Sequence, residues 1–304
     1  MVRRLVLDMA SPMRILAFEV GAYFVRYTVF TGDKPGIPST IATPTDSAES
    51  FYEAIAQVVK RRSKPIDGIA FSIPGFIDTS KRRTITAGSL GMLFNHDIAQ
   101  ELSQYVPGIP VWLENDANCV AMAEKLNGNA QNLNDFAVIT VGTGIGGALF
   151  LDGHIRRGRD WRAGELGMMI TDFSKGGLLP LHDYASIGSL VERYAAEFDV
   201  PLADVTAASL FRRLDEPEVR KIVEDWVDYL AVGVFNTVAV IDPECVLIGG
   251  AISRESNLVP MLNAALEKNK NWKDFRTTIK RCRHSSNAGL FGAYYAFMTE
   301  VAGK

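Results

Sequence analysis

The sequence is poor in cysteine, and this shortage excludes two classes of protein. Only 3 of the 304 residues are cysteine. They lie far apart, at Cys119, Cys245 and Cys282, and no C-x-x-C motif occurs. We therefore expect neither a disulfide framework nor a cysteine-based zinc site. No H-E-x-x-H or other metal-binding spacing occurs either. The chain is expected to be a reduced, cytoplasmic protein.

The sequence also lacks an excess of positive charge and a long apolar run. The 32 Lys and Arg residues are outnumbered by 35 Asp and Glu residues, so the net charge is −3. Neither nucleic acid nor an anionic membrane is an expected partner. No uncharged apolar run reaches about 18 residues, so no transmembrane helix is predicted. Residues 1–12 make a poor signal peptide because Asp8 interrupts a short apolar segment, and we interpret them as an extension before the first strand.

The composition is that of an ordinary globular protein, and the length indicates about two domains. Two segments share the order strand, glycine turn, returning strand: Ile15 to Phe30, around Gly21, and Phe136 to Leu151, around Gly142. This faint internal repeat predicts an α/β, two-lobed actin/hexokinase-like (ribonuclease H-like) ATPase fold with a central cleft. The expected lobes are residues 13–117 with about 290–304, which form the smaller one, and residues 118–289.

Three local patterns predict where helices begin and end. Asp46 with Glu49 has the spacing of a capping box at a helix start. Pro217 is a good first residue for a long helix, which we expect to run to about Val240. A closing helix is expected over residues 287–301, where small residues permit close packing.

The stretch Leu113 to Asn118, L-E-N-D-A-N, lies where a predicted strand ends and a predicted helix begins. In an open α/β sheet such a junction is where ligands bind. A carboxylate there, Asp116, could take a proton from a substrate hydroxyl, and Asn115 could orient the same substrate. The alternative is a helix cap, a common role of Asp and Asn.

Glycine-rich turns follow two other predicted strands. In Gly142-Thr143-Gly144-Ile145-Gly146-Gly147, backbone N–H groups could converge on a phosphate; the alternative is a glycine-rich hairpin turn. It is not a Walker loop, because no G-K-[ST] follows, and a strand instead of a helix comes next. Gly249 and Gly250 could lie against a nucleotide or could simply make a strand-to-helix turn.

Polar residues lie in three other predicted loops, and a loop carboxylate such as that of Glu165 could accept hydrogen bonds from sugar hydroxyls. Glu165 stands between glycines, and its alternative is a solvated surface charge. Asn95 could bind a hydroxyl or cap the helix that follows. His182 with Asp183 is a polar pair in a loop. His154 and His284 are expected at the surface.

Taken in order, these motifs resemble the ROK family of bacterial sugar kinases and sugar-responsive repressors, over about Met13 to Phe297. The resemblance depends on E-N-D-A-N, V-G-T-G-I-G-G, A-G-E-L-G and D-P-E-C-V-L-I-G-G, with N-A-G-L-F-G-A near the end. Within the family the chain is most similar to the β-glucoside kinases, through E-N-D-A-N-C-V and R-A-G-E-L-G-M-M-I-T-D.

The resemblance implies roles for particular residues. Asp116 would be the general base on a sugar 6-hydroxyl, with Asn95, Asn115, Glu165 and His182 binding the sugar. ATP and Mg²⁺ would be the cofactors, and a homodimer is usual in the family. The nucleotide would be held by Glu19, Gly21, Gly142, Thr143, Gly144, Gly249 and Gly250.

The chain also departs from the family pattern. The first phosphate loop, D-I-G-G-T in the family, reads Glu19-Val20-Gly21-Ala22-Tyr23, so a threonine hydroxyl is replaced by a bulky ring. The family's metal-binding histidine is Met168 here. Residues 176–180 stand where the zinc-binding cysteines would be, so no structural zinc is expected. The DNA-binding extension of the repressors is not expected, because the residues before the first strand are too few for a helix-turn-helix.

Two hypotheses follow. The first is an ATP-dependent sugar kinase that phosphorylates the 6-hydroxyl of a hexose or β-glucoside. The second, motivated by the altered loop at residues 19–23, is a catalytically impaired sugar-binding or regulatory protein on the same fold.

Overall fold

The computed structural model describes residues 12–173, 177–284 and 286–303. Its residues fall into two compact units, which are described separately. The first comprises the described residues up to Glu114 and from Ala296 onward, and the second comprises Asn115–Tyr295. All of the expected N-terminal extension except Pro12 lies outside the described residues.

The first unit is built on a six-stranded sheet in the order β3-β2-β1-β5-β8, with β4 beside β2. β1 runs antiparallel to β2 and parallel to β5. Every residue of β5 is buried, as expected of a strand covered on both faces. The strands are β1 (Arg14–Val20), β2 (Phe24–Thr31), β3 (Lys34–Pro35), β4 (Ser39–Ala42), β5 (Gly68–Ile73), β6 (Ile77–Asp78), β7 (Arg83–Thr84) and β8 (Val111–Asn115), and the helices are α1 (Ala48–Lys60) and α2 (Ile98–Leu102).

Aromatic packing fills the core of this unit. The rings of Phe18 and Phe71 stack with centroids 5.0 Å apart, and Phe51 of α1 packs against Phe71. Phe297, near the end of the chain, covers Gly68 so closely that a Cβ at Gly68 would lie 2.1 Å from its ring. Burying each such ring stabilises the fold by about 1.5–3 kcal/mol.

The cap of α1 differs from the sequence prediction by one residue. Ser47, not Asp46, is the N-cap, and its hydroxyl accepts the Ser50 N–H. The Ser50 hydroxyl oxygen accepts the Ser47 N–H in return, so Ser50 fills the position predicted for Glu49. The prediction was wrong because a serine can replace the glutamate of the capping box over this short distance.

The second unit contains a five-stranded sheet in the order β11-β10-β9-β14-β15. β9, β14 and β15 are parallel to one another, whereas β10 returns antiparallel to β9. The carboxyl ends of the three parallel strands therefore meet at one edge of the sheet, where ligands bind in folds of this type. The strands are β9 (Phe136–Val141), β10 (Ile145–Leu151), β11 (His154–Ile155), β12 (Ile170–Asp172), β13 (Leu179–Pro180), β14 (Cys245–Gly249) and β15 (Thr278–Arg281).

One long helix, α7 (Pro217–Ile241), organises the core of the second unit. Pro217 occupies its first turn, as predicted, and the helix ends where Asp242 adopts a left-handed conformation (φ 44°). Its fully buried Trp226 donates its indole N–H to the Ser186 carbonyl at 2.8 Å. The other helices are α3 (Asp116–Asn127), α4 (Leu181–Ala185), α5 (Ile187–Phe198), α6 (Ala207–Phe211), α8 (Leu258–Glu267), α9 (Trp272–Phe275) and α10 (Ala288–Glu300).

Small residues of α10 permit close packing, as the sequence indicated. A Cβ at Gly292 would lie 1.9 Å from the Cys119 carbonyl oxygen of α3. The two helices approach at this point because Gly292 has no side chain. Among the described residues, no helix is both long and apolar enough to cross a membrane.

The cap of α1 provides a first test. Ser47→Ala should lower the free energy of unfolding by about 1 kcal/mol, because the Ser50 N–H loses its acceptor. Asp46→Ala, the matched control, should change it by less than about 0.5 kcal/mol. Urea denaturation of both variants measures the difference. An equal loss in the two would show that Ser47 is not the effective cap.

Candidate active site

The junction between β8 and α3 positions the two residues predicted to bind substrate. Asn115 has extended backbone dihedrals, and its side-chain Oδ1 accepts the Asn118 N–H at 3.0 Å. Asn115 is thus the N-cap of α3. The alternative interpretation of this stretch, a helix cap, is confirmed for the asparagine. Asp116 is the first residue of the helix, and its Oδ1 accepts the Ala117 N–H at 2.8 Å.

The carboxyl of Asp116 is reached by solvent but poorly solvated. The residue is exposed, and partial desolvation is the main cause that raises the pKa of Asp116. The Ala117 N–H, which favours the ionised form, opposes the rise. A carboxylate whose pKa is moved toward neutral pH is a better acceptor for a proton from a hydroxyl.

Glu165 lies on a loop that two glycines hold against β10. A Cβ at Gly164, which has φ +88°, would lie 3.1 Å from the Gly147 carbonyl oxygen. A Cβ at Gly167 would lie only 2.2 Å from the Ile145 carbonyl oxygen. The glycines on both sides of Glu165 are therefore needed for packing, and they fix the position of the side chain between them.

Asp116 and Glu165 lie within electrostatic reach of each other. Burial is the main cause that raises the pKa of Glu165, and the negative charge of Asp116 is the second. The structure thus brings together two residues that are far apart in the sequence. Two coupled carboxyls with raised pKa values are typical of a functional site.

The turn between β9 and β10 is shorter than predicted. Gly146 and Gly147 are strand residues paired with Thr140 and Ile139, so the returning strand begins at Ile145 and not at Ala148. A Cβ at Gly146 would lie 2.6 Å from the Thr140 hydroxyl oxygen. Glycine is therefore required here by the packing of the strand itself.

Gly142 is the glycine of this turn that the fold does not require. Its N–H donates to the Gly144 carbonyl and its carbonyl accepts the Ile187 N–H, both at 2.8 Å. The nearest atom to a Cβ built at Gly142 would be 3.8 Å away. The space beside Gly142 is open, which fits the close approach of a phosphate to the backbone, and Thr143 beside it is exposed.

His182 contacts this same turn. Its Nδ1 accepts the Ile145 N–H at 3.4 Å. A Cβ at Gly144 would lie 2.6 Å from the His182 ring, so Gly144 makes room for the histidine. The structure brings His182 to the predicted phosphate turn, and its role in sugar binding stays a prediction.

Gly249 and Gly250 end β14. Gly250 has φ +84°, and a Cβ there would lie 2.1 Å from the Val141 carbonyl oxygen. The alternative that we considered, a strand-to-helix turn, is therefore sufficient to explain why residue 250 is a glycine. A short 3₁₀ helix, Ala251–Arg254, follows. Contact with a nucleotide stays a prediction for both glycines.

In the first unit, Glu19 is paired with a residue that the sequence analysis missed. Glu19 lies directly opposite Arg26 in the β1–β2 hairpin, and the Arg26 guanidinium donates to Glu19 Oε2 at 3.0 Å. Both side chains are about one-third exposed. The register of a hairpin with a short turn could have revealed this pair, because opposite charges across two strands attract.

The turn at Gly21 follows Glu19. The Gly21 N–H donates to the Phe24 carbonyl at 3.0 Å, and the Thr43 hydroxyl donates to the Gly21 carbonyl at 2.7 Å. The Tyr23 side chain is 81% exposed, so the ring is held by little of the protein. Whether it crowds a phosphate stays a prediction.

Asn95 is also in the first unit and has a left-handed backbone, with φ 60°. Asparagine tolerates this conformation better than most residues. Its side-chain oxygen accepts a hydrogen bond from Arg83, a partner that the sequence did not indicate. The cap of the following helix is Asp97, not Asn95, so that alternative for Asn95 was wrong.

Few protein groups could hold a metal. Among the described residues, no group of three or more His, Cys, Asp or Glu side chains is suited to a metal ion. Mg²⁺ that is bound mainly by phosphates needs only one or two protein carboxylates, and Glu19 could be one of them. Met168 is exposed, and the region of the family's zinc cysteines includes residue 176, which lies outside the described residues.

His284 is half-buried and not a surface residue as expected, since it packs on Phe291.

Comparison with known proteins identifies the family. The sequence profile of the ROK family matches residues 15–300. This chain belongs to the ROK family. A β-glucoside kinase of Klebsiella pneumoniae is 32% identical over 292 residues, which are 94% of this chain and 96% of that protein. A β-glucoside kinase of Listeria monocytogenes is 30% identical and covers 95% and 98% of the two chains.

The solved structure of a ROK family protein from Streptococcus pneumoniae TIGR4, in complex with sucrose, superposes with a TM-score of 0.87. It is 26% identical and covers 96% of this chain and 100% of its own. The predicted actin/hexokinase-like fold and the likeness to β-glucoside kinases are thereby confirmed. The predicted enzyme class, a carbohydrate kinase, is confirmed by the same relatives.

The raised pKa of Asp116 makes a prediction about stability. A carboxyl whose pKa is higher in the folded state stabilises the fold below its ordinary pKa of 3.8, and this stability is lost as the pH rises through the folded-state pKa. Asp116→Asn, which cannot ionise, should therefore have a higher denaturation midpoint than the wild type at pH 7. The difference should close as the pH falls toward about 4.

Urea denaturation at several pH values measures this difference. Asp274→Asn, at an exposed position on α9, controls for the loss of one negative charge. A midpoint of Asp116→Asn at or below that of the wild type at pH 7 would contradict the assignment.

Proposed function

We propose that this carbohydrate kinase transfers the terminal phosphoryl group of ATP to the 6-hydroxyl of a hexose or β-glucoside. The observation that carries the proposal is Asp116, a poorly solvated carboxyl at the start of α3, within electrostatic reach of Glu165. The full-length similarity to two β-glucoside kinases supports the substrate class.

Asp116 would act as the general base. Its raised pKa lets it accept the hydroxyl proton as the bond to phosphorus forms, an effect of about 10²–10⁴-fold in proton-transfer catalysis. Asn115 and Glu165 would hold neighbouring sugar hydroxyls, together with Asn95 and His182. The restricted positions of Asn115, as helix cap, and Glu165, between packed glycines, favour binding in one orientation.

The backbone at Gly142, with Thr143 and Gly144, would receive the phosphates, and Gly21, Gly249 and Gly250 would line the nucleotide. Mg²⁺ would neutralise the charge that develops on the phosphoryl group. Glu19 would act on the metal through water. The pair with Arg26 would keep Glu19 oriented for this role.

The alternative is a sugar-binding regulatory protein whose nucleotide site is impaired. Ala22 and Tyr23 in the first loop favour it, because that loop lacks the family's threonine. Calorimetry with ATP–Mg²⁺ and with glucose, cellobiose or gentiobiose separates the two. Sugar binding without any nucleotide binding would favour the regulator. We also propose a homodimer, which the resemblance implies, and a cytoplasmic location, which the low cysteine content indicates.

The assignment of the base is tested by Asp116→Asn. The asparagine can still accept the Ala117 N–H, so sugar affinity should change little, while kcat should fall by about 10²–10⁴-fold. Turnover is measured by coupled ADP release and sugar affinity by calorimetry. Asp274→Asn should keep wild-type turnover, and an Asp116→Asn variant with near-normal kcat would disprove the role.

The altered first loop gives a separate prediction. The double variant Ala22→Gly/Tyr23→Thr should lower KM for ATP by about 2- to 10-fold, the effect of one net hydrogen bond of about 0.5–1.5 kcal/mol. Phe24→Thr, at the next exposed position, adds a hydroxyl without restoring the loop and should give no such gain. An unchanged or higher KM in the double variant would show that the loop is not a handicap.

A further inference from the structure

A cavity in the second unit is lined by arginine side chains that the proposed mechanism does not use. Its volume is about 420 Å³, and no Asp or Glu lines it. The cavity lies where β15 ends, and the short 3₁₀ helix after Gly250 forms another part of its wall. Its lining consists of Asn129, Ser253, Arg254, Arg281, Cys282 and Arg283.

The buried part of the lining is continuous with the Gly249–Gly250 turn. The buried Ser253 donates its hydroxyl to the Gly250 carbonyl at 2.7 Å. The Cys282 N–H donates to the Ile248 carbonyl at 2.8 Å, and a Cβ at Gly249 would lie 3.3 Å from the Cys282 sulfur. The cavity therefore opens at the carboxyl edge of the parallel strands, the edge at which ligands bind in such sheets.

A buried carboxylate fixes the backbone around this cavity. Glu124 of α3 is fully buried and accepts the N–H groups of Asn129 and His284, each at 2.8 Å. The Asn129 amide donates to the Arg281 carbonyl at 2.9 Å, and Arg283 donates to the Asn127 carbonyl at 3.0 Å. These bonds hold the residues that carry the guanidinium groups in a fixed arrangement.

The positive charge of the cavity is not neutralised by ion pairs of Arg281 or Arg283. Within the described part of the chain, neither guanidinium lies in a salt bridge, in contrast to Arg213 and Arg276, which pair with carboxylates at 2.7 Å. Burial raises the pKa of Cys282 well above its usual range, so this thiol stays neutral.

We propose that this arginine cavity binds a phosphate-bearing anion, either a phosphate ester or a short polyphosphate. Guanidinium groups bind phosphate oxygens through paired, charge-assisted hydrogen bonds, and the volume falls within the range of small-molecule sites. The phosphate could belong to the nucleotide, because the cavity adjoins Gly250, or to a second phosphorylated molecule. The arginines that line the cavity have no role in the proposed kinase mechanism.

The proposal is tested by calorimetric titration of the whole protein with inorganic pyrophosphate, at low salt and without Mg²⁺. Arg281→Gln combined with Arg283→Gln should weaken binding by at least about 10-fold, because two charge-assisted contacts are lost. The Arg281 side chain forms no ion pair with the described residues. Arg281→Gln alone should therefore weaken binding without lowering the denaturation midpoint. Arg276→Gln, on the surface of the same unit, is the matched control and should bind as the wild type does.

Several results would overturn the proposal. They are the absence of pyrophosphate binding to the wild type, equal affinity in the double arginine variant, and an equal loss in Arg276→Gln. Gly142→Ala separates the two candidate anion sites: if it abolishes pyrophosphate binding and the arginine variants do not, the anion binds at the glycine turn instead. The proposed kinase function would survive that outcome.

Competition with ADP identifies the source of the phosphate. If ADP displaces pyrophosphate, and the double arginine variant raises KM for ATP at constant kcat, the cavity holds part of the nucleotide. If ADP and pyrophosphate bind together and KM for ATP is unchanged, the cavity takes a separate phosphorylated ligand. Both results support an anion site.

Discussion

The hydrogen bond from the Asn118 N–H to Asn115 is the interaction on which the candidate site depends. It satisfies one of the free N–H groups at the start of α3 and fixes the residue at which the helix begins. Because Asn115 serves as the cap, Asp116 falls in the first turn, near the positive end of the helix dipole. That field favours the carboxylate, whereas desolvation raises its pKa. The net effect is a raised pKa, which makes Asp116 a better proton acceptor than an ordinary carboxylate.

Gly142 differs from three other glycines of the second unit in what surrounds it. Gly146, Gly167 and Gly250 would each place a Cβ within 2.6 Å of another atom, so packing alone explains them. Gly142 has open space beside it. A glycine-rich motif in a sequence therefore combines two signals, and only the structure shows which glycine leaves room for a ligand.

Much of the fold could be predicted because its signals are local. Pro217 marks the start of α7, and the apolar runs of β9 and β14 are short, buried and end at glycines. The cap at Ser47 was misplaced because Asp46 is equally suited to capping, and only the backbone decides between adjacent candidates. The extent of the turn after Val141 was misjudged because glycine in a strand and glycine in a turn look alike in sequence.

The site was predicted less completely, since its contacts join distant parts of the chain. Asp116 and Glu165 were found through motifs, but their electrostatic coupling arises from the packing of one loop on β10. Arg83, which binds Asn95, has no motif of its own. Arg26 could have been found, because a two-strand register places it opposite Glu19. Sequence patterns thus locate the groups that do chemistry better than the groups that orient them.

The arginines of this protein differ in whether a carboxylate pairs with them. Arg26 and Glu19 face each other across two strands, so each charge is largely satisfied within the protein. The Arg283 guanidinium donates to the Asn127 carbonyl, and the Arg281 side chain has no hydrogen-bond partner among the described residues. The two carboxylate oxygens of Glu124 accept the N–H groups of Asn129 and His284. Glu124 cannot turn toward the arginines without leaving those two buried N–H groups unpaired, at a cost of about 1–3 kcal/mol each. The carboxylate therefore fixes the backbone around the cavity without pairing with the guanidinium groups of Arg281 and Arg283.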